Sequence, residues 1–241
     1  MNNTPASNRS TTSLLIISIV AVLGATLIAA LVSPLGLPIL LASLTDPTAH
    51  GYWYLSRGAG IAGYLLLWLS MALGLMVTNK LGRLWPGGPA TADLHEFTGL
   101  LGMAFAAFHV LILLGDHYIG YTLGQLLIPF ASADYRPLWI GLGQLALYLG
   151  IPVTFAFYVR QRIGRLWRTL HYGSFAMFVM TALHGLLSGT DSVLPAVQAM
   201  YLLTSASIVG LTVYRVWVSV RGRSTKALRR AEARRETPVQ G

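Results

Sequence analysis

Four histidines stand inside apolar stretches of this 241-residue chain: His95, His109, His171 and His184. An ionisable side chain in hydrocarbon is expensive, and its presence there is a functional signal. A single one reads as a hydrogen-bonded packing residue. Two stretches with two histidines each, similarly spaced, ask for more. His95 and His109 are 14 residues apart, a helical rise of about 21 Å. His171 and His184 are 13 apart, a rise of about 20 Å. If the two helices run parallel, His95 shares a level with His171, and His109 with His184. Two imidazoles facing across a gap suit the axial positions of a six-coordinate haem iron. Two such levels predict two stacked b-type haems with no open coordination site, a centre for electron transfer rather than ligand activation.

The elements that must position these residues are membrane helices. The chain is 54% hydrophobic and 10% charged, against about 25% charged in soluble domains; mean hydropathy is +0.61. A helix needs about 20 apolar residues to cross a bilayer. Six stretches qualify: Leu14–Val32, Leu55–Thr78, Leu94–Gly115, Leu138–Arg160, Trp167–Gly189 and Val193–Val220. The first is read as a retained helix and not a signal peptide, because only Arg9 precedes it and Pro34 and Pro38 follow. Pro137 and Pro195 sit where a helix start tolerates a missing N–H, and Pro152 predicts a kink in the fourth span. The predicted fold is an all-α integral membrane bundle of six transmembrane helices, with the haems between helices 3 and 5. Residues 1–12 form an N-terminal tail, 13–220 the six-helix domain and 221–241 a basic C-terminal tail, helical in part over Lys226–Arg235.

Net charge is +9, from 17 Lys and Arg against 8 Asp and Glu. All the basic residues except Arg57 and Arg136 fall on one side of the spans. The positive-inside rule puts that side, with both termini, in the cytoplasm of a multi-pass plasma-membrane protein. The charge therefore reads as topology and lipid contact, not nucleic-acid binding. There is no cysteine, which excludes disulfides, thiolate metal sites, Fe–S clusters and covalent c-type haem.

Further residues carry expectations. Arg57, three residues into the second span, is placed to pair with a propionate of the outer haem; Arg165 and Arg168 could serve the inner one. Stepping from His95 gives Gly99, Gly102, Ala106 and His109 on one face, small residues that leave room for a macrocycle or mark helix packing. Asp93 and Glu96 look like a cap at the start of the third span. Phe105, Phe108, Phe175, Phe178 and Met177 read as packing between the levels. His50, Asp116, His117 and Asp134 lie in outer loops and read as solvated. One feature fits less well. Thirteen residues place His171 and His184 roughly 140° apart on an ideal helix, so a π-bulge, a kink or different rotamers must correct the phase; Gly173 and Gly185 lie nearby.

The segments YWYLSRGAGIAGYLLLW, LHEFTGLLGMAFAAFHVLILL and LWRTLHYGSFAMFVMTALHGL resemble the ferric reductase-like transmembrane domain. That superfamily includes ferric reductases, the membrane part of NADPH oxidases and the haem subunit of the bacterial methionine-sulfoxide reductase system. The resemblance spans Tyr52 to Val220. It implies an inner haem on His95 and His171, an outer haem on His109 and His184, and outward electron flow. Ferric reductases and NADPH oxidases typically add a flavin and nicotinamide module. This chain ends at Gly241, soon after the last span, so the expected donor is separate: a reductase, a quinol or another membrane complex. An outer-face acceptor is expected. Short haem subunits admit a flavin, which no residue here establishes. The alternatives are an accessory subunit of a larger membrane redox complex and a His-lined transporter for metal or protons.

Overall fold

The computed structural model describes residues 50–81, 87–116, 119–132 and 135–236, with Ala42 and Asp46 besides; side chains are described as far as Gly222. Every regular element among them is a helix. In chain order they are α1 (Gly51–Thr78), α2 (Gly88–Leu111, then a 3-10 turn Ile112–Gly115), α3 (Leu123–Leu127) and α4 (Pro137–Phe155). Next come α5 (Arg160–Ile163), α6 (Leu166–Ser188), a 3-10 turn at Thr190–Val193, and α7 (Pro195–Glu236). Five stretches are long and apolar enough to cross a membrane: Gly51–Thr78, Gly88–Gly115, Pro137–Phe155, Leu166–Ser188 and Pro195–Gly222. This is the all-α architecture of a multi-pass membrane protein, since a helix satisfies its own backbone where no water can. The expected first span, Leu14–Val32, lies outside the described residues.

Several boundaries differ from the sequence reading. α2 begins at Gly88, behind a Gly87 at φ 118°, so Asp93 and Glu96 are inside the helix and do not cap it. Glu96 instead accepts a hydrogen bond from the Tyr158 hydroxyl at 2.8 Å. That carboxylate pushes the Tyr158 phenol above its ordinary pKa. Pro137 and Pro195 do open helices, where a missing N–H is free of cost. Pro152 falls in the last turn of α4. The helix stops at Phe155 instead of reaching Arg160, with the Ala156 N–H still closing onto the Pro152 carbonyl.

Two helix pairs form the frame. α1 lies along α2, and α4 lies along α6, while α2 and α6 make almost no close backbone approach. α7 closes the bundle against α1. Tyr64 bonds Thr204 at 2.6 Å, the Trp68 indole donates to Ser207 at 2.8 Å, and Asn79 donates to the Leu211 carbonyl at 3.3 Å. Between the helices sit Tyr64, Leu75, Phe178, Tyr201 and Ile208. A second cluster of Leu67, Ala146 and Met177 joins α1, α4 and α6. Phe178 stacks on Tyr64 with ring centres 5.9 Å apart, the packing role expected of it, whereas Phe108 is turned outward.

Candidate functional site

The gap between α2 and α6 brings the four histidines together in two pairs. His95 and His171 have ring centres 5.9 Å apart with planes at 86°. His109 and His184 are 6.2 Å apart at 75°. A metal–imidazole bond is about 2.0–2.1 Å and the nitrogen lies about 1.1 Å from its ring centre, so two rings on opposite sides of one ion have centres roughly 6.3 Å apart. Both pairs stand near that separation.

The other ring nitrogen is already committed on three of the four. His109 Nδ1 is 2.7 Å from the Ser56 carbonyl, and His95 Nδ1 is 2.7 Å from the Ser70 carbonyl. His184 Nδ1 is 2.8 Å from the Trp139 carbonyl. A carbonyl can only accept, so each Nδ1 carries the proton and each Nε2 keeps its lone pair. That is the tautomer a metal-bound histidine uses, oriented by its outer partner.

Glycine makes this approach possible. A Cβ on Gly60 would lie 2.9 Å from His109 Nδ1, one on Gly74 would lie 3.1 Å from His95 Cε1, and one on Gly143 would lie 2.5 Å from His184 Nδ1. Each glycine is four residues after the accepting carbonyl: Ser56 and Gly60, Ser70 and Gly74, Trp139 and Gly143. The same backbone cradle is thus built three times, twice on α1 and once on α4. No such cradle meets His171 among the described residues. Its counterpart on α4 would fall beside Pro152, where that helix ends. No hydrogen bond holds the His171 ring among the described residues, and its neighbour is the Trp167 ring at 5.7 Å.

The 13-residue phase problem is not met by a bulge. α6 is α-helical from Leu166 to Ser188. Gly173 and Gly185 serve other ends: Gly173 admits Val153 and Leu149, and Gly185 admits the Tyr201 hydroxyl. Each ring nonetheless stands beside its partner on α2, His171 beside His95 and His184 beside His109.

The small-residue face of α2 packs largely against α1. Gly99 meets Ser70, and Gly102 meets Leu67. Gly63 of α1 in turn approaches the Ala106 backbone nitrogen at 3.3 Å, measured from the place a Cβ would take. That face is mainly the seam with α1, the helix-packing alternative. The room between α2 and α6 comes from their separation.

A cavity of about 940 Å³ occupies the His109–His184 level and reaches the midplane at Met103 and Met177. Ala106 and Gly143 line it. Arg57 and Asp191 stand at its mouth. Arg57 is paired with Asp191, donating Nε–H at 2.8 Å, and lies 4.2 Å over the Trp53 ring. The guanidinium expected to meet a cofactor carboxylate therefore holds a protein carboxylate at the same opening. α3 forms one wall: Gln144 of α4 donates to the Gln125 and Leu126 carbonyls at 2.7 and 2.8 Å. Tyr201 lines the cavity too. It is 8% exposed, and no hydrogen bond meets its hydroxyl among the described residues. His50 lies at the same end, 6.2 Å from Trp53 by ring centres. Asp116 is buried there and accepts from the Ile119 N–H at 2.9 Å, so it is not the solvated residue expected. His117 and Asp134 lie outside the described residues.

The donor set can be tested against a planar cofactor. Each level offers two imidazole rings about 6 Å apart, and no group of three or more His, Asp or Glu gathers anywhere among the described residues. A bare zinc-type site needs three or four protein ligands; a haem brings its own four and needs two more. The ring separations, the proton on Nδ1 and the cavity all fit the latter. Sequence reasoning missed Ser56, Ser70, Gly60, Gly74, Gly143 and Tyr201. A signal for four of them was present, since Ser56–Ser70 and Gly60–Gly74 repeat the 14-residue interval of His95–His109.

The chain matches no family model, no curated protein and no solved structure.

Proposed function

We propose that this protein is a di-haem b-type membrane cytochrome of ferric reductase-like design that carries electrons between the two faces of a membrane. One observation carries the reading: two stacked levels of opposed histidines, separated as axial ligands are, with three of the four rings holding their proton on Nδ1 against a backbone carbonyl. His95 and His171 would hold the inner haem, and His109 and His184 the outer one. When bound, each haem supplies a ferric–ferrous couple that exchanges one electron.

The protein's own contribution is rigidity and exclusion of water. The cradles on α1 and α4 fix ring orientation and keep Nε2 basic. Met103, Met177, Leu67 and Ala146 keep the space between the levels apolar. Arg57 and Asp191 set the charge at the outer mouth. The basic residues near the other helix ends support a cytoplasmic inner face, and a separate donor there and an outer acceptor complete the path. A His-lined metal transporter has less support, because its ligands would have to gather in threes or more.

The test is a reduced-minus-oxidised spectrum of the purified protein with its haem content. Two b-type haems per chain are expected. Protein made with ample haem supply that shows no b-type signal overturns the reading.

A further inference from the structure

Helix α1 carries the same arrangement twice, 14 residues apart, against the two histidines of α2. The Ser56 hydroxyl donates to the His109 carbonyl at 2.8 Å, while the Ser56 carbonyl accepts from His109 Nδ1–H at 2.7 Å. The Ser70 hydroxyl donates to the His95 carbonyl at 2.9 Å, while the Ser70 carbonyl accepts from His95 Nδ1–H at 2.7 Å. Each serine thus grips one histidine at two points, backbone and ring. Both are deeply buried, at 2% and 6% exposure. In hydrocarbon no water competes for these bonds.

The grip has a purpose that helix packing alone does not explain. A carbonyl by itself orients an imidazole loosely, because the ring can follow any slide or rotation of its own helix. The serine hydroxyl ties the ring-bearing residue to the same turn that accepts the ring proton. It thereby fixes the distance between Nδ1 and its acceptor. The glycine one turn on, Gly60 or Gly74, lets the ring come close to the α1 backbone. Because the two grips use different serines, they act on the two levels separately.

We infer that Ser56 and Ser70 are positioning residues, Ser56 for His109, which would hold the outer haem, and Ser70 for His95, which would hold the inner one, each governing one level independently of the other. This rests on the di-haem reading above. Neither serine touches the iron; each acts through its histidine.

The experiment compares Ser56→Ala and Ser70→Ala with the wild-type protein by spectroelectrochemical titration and haem content. The two components are assigned with His109→Ala and His95→Ala. Outer-site partner mutations of this type weaken metal-group affinity about 10–100-fold. Ser56→Ala is expected to weaken retention of the outer haem by that factor, or shift its midpoint potential, and to leave the inner component as in the wild type. Ser70→Ala should do the reverse. The untouched level reports that the variant has folded. Equal change at both levels, or change at neither, overturns the positioning role. A wild-type protein without haem overturns the underlying di-haem reading instead.

Discussion

Gly143 lies so close to the His184 ring that a Cβ there would sit 2.5 Å from Nδ1. The ring would have to move, and with it the hydrogen bond to the Trp139 carbonyl. Gly143→Ala is therefore expected to lose the outer haem while keeping the inner one, and to destabilise the protein by about 1–3 kcal/mol through overpacking. Gly58→Ala is the control, since nothing lies within 4 Å of its Cβ position; it should be neutral or gain about 0.5–1 kcal/mol in helix propensity. Haem spectra and thermal unfolding of the two variants check this. A Gly143→Ala protein with a normal outer haem would refute the cradle.

Arg57 and Asp191 form an ion pair at the mouth of the cavity, with side chains 27% and 22% exposed. Solvent reaches them enough to screen the pair, so the stability effect of breaking it should be small. The redox effect has a definite sign. Removing the positive charge in Arg57→Gln disfavours the reduced iron and lowers the outer midpoint potential. Removing the negative charge in Asp191→Asn raises it. Each shift should be about 1 kcal/mol, roughly 40 mV for one electron. Shifts of the same sign, or equal shifts at the inner haem, would show that this pair does not govern the outer site.

The sequence made the four histidines legible because charge in hydrocarbon is conspicuous and helical rise converts spacing to depth. Levels could be assigned without knowing which helices touch. Rotation could not. The face of α2 bearing Gly99, Gly102 and Ala106 read equally as cofactor space or helix seam, and it is mainly the seam because α1 occupies it. The phase difference in α6 left a π-bulge, a kink or different rotamers open, and the helix is regular from Leu166 to Ser188. Helix starts were off for a local reason: Gly87 and Pro89 allow α2 to begin a turn and a half before its apolar run. The serine and glycine cradle was hidden because neither residue type is unusual in a membrane helix; its 14-residue repeat becomes meaningful only beside the histidines.

His171 is the ring without a cradle, because α4 ends at Phe155 before it can supply one. Its bond to iron should be the easiest of the four to break. Carbon monoxide added to the reduced protein tests this. His109→Ala retains the inner pair and His95→Ala the outer, so the intact pairs can be compared one at a time. The inner pair should yield a carbon monoxide difference spectrum at about 10–100-fold lower gas concentration, the scale on which outer partners tighten a metal ligand. Equal resistance at both levels would mean that Trp167 holds His171 as firmly as the cradles hold the others.

Tyr201 offers a sharper test of what fills the cavity. Its ring is packed against Tyr64 at 4.6 Å between centres, and its hydroxyl points where Gly185 has no side chain. Its hydroxyl opens to the cavity, where water can meet it in the haem-free protein. In that form Tyr201→Phe should leave Tm nearly unchanged, because the ring packing is kept and no sealed polar group is relieved. In the loaded protein the same hydroxyl would meet a polar group of the outer cofactor, and its loss should lower Tm and speed release of the outer haem. The substitution therefore acts on the loaded form alone, so the increase in Tm on haem loading should be smaller in Tyr201→Phe than in the wild type. Unfolding of both proteins, prepared with and without haem supply, measures that difference. A substitution that shifts both forms equally would place the hydroxyl outside the cofactor's reach and leave it a packing residue.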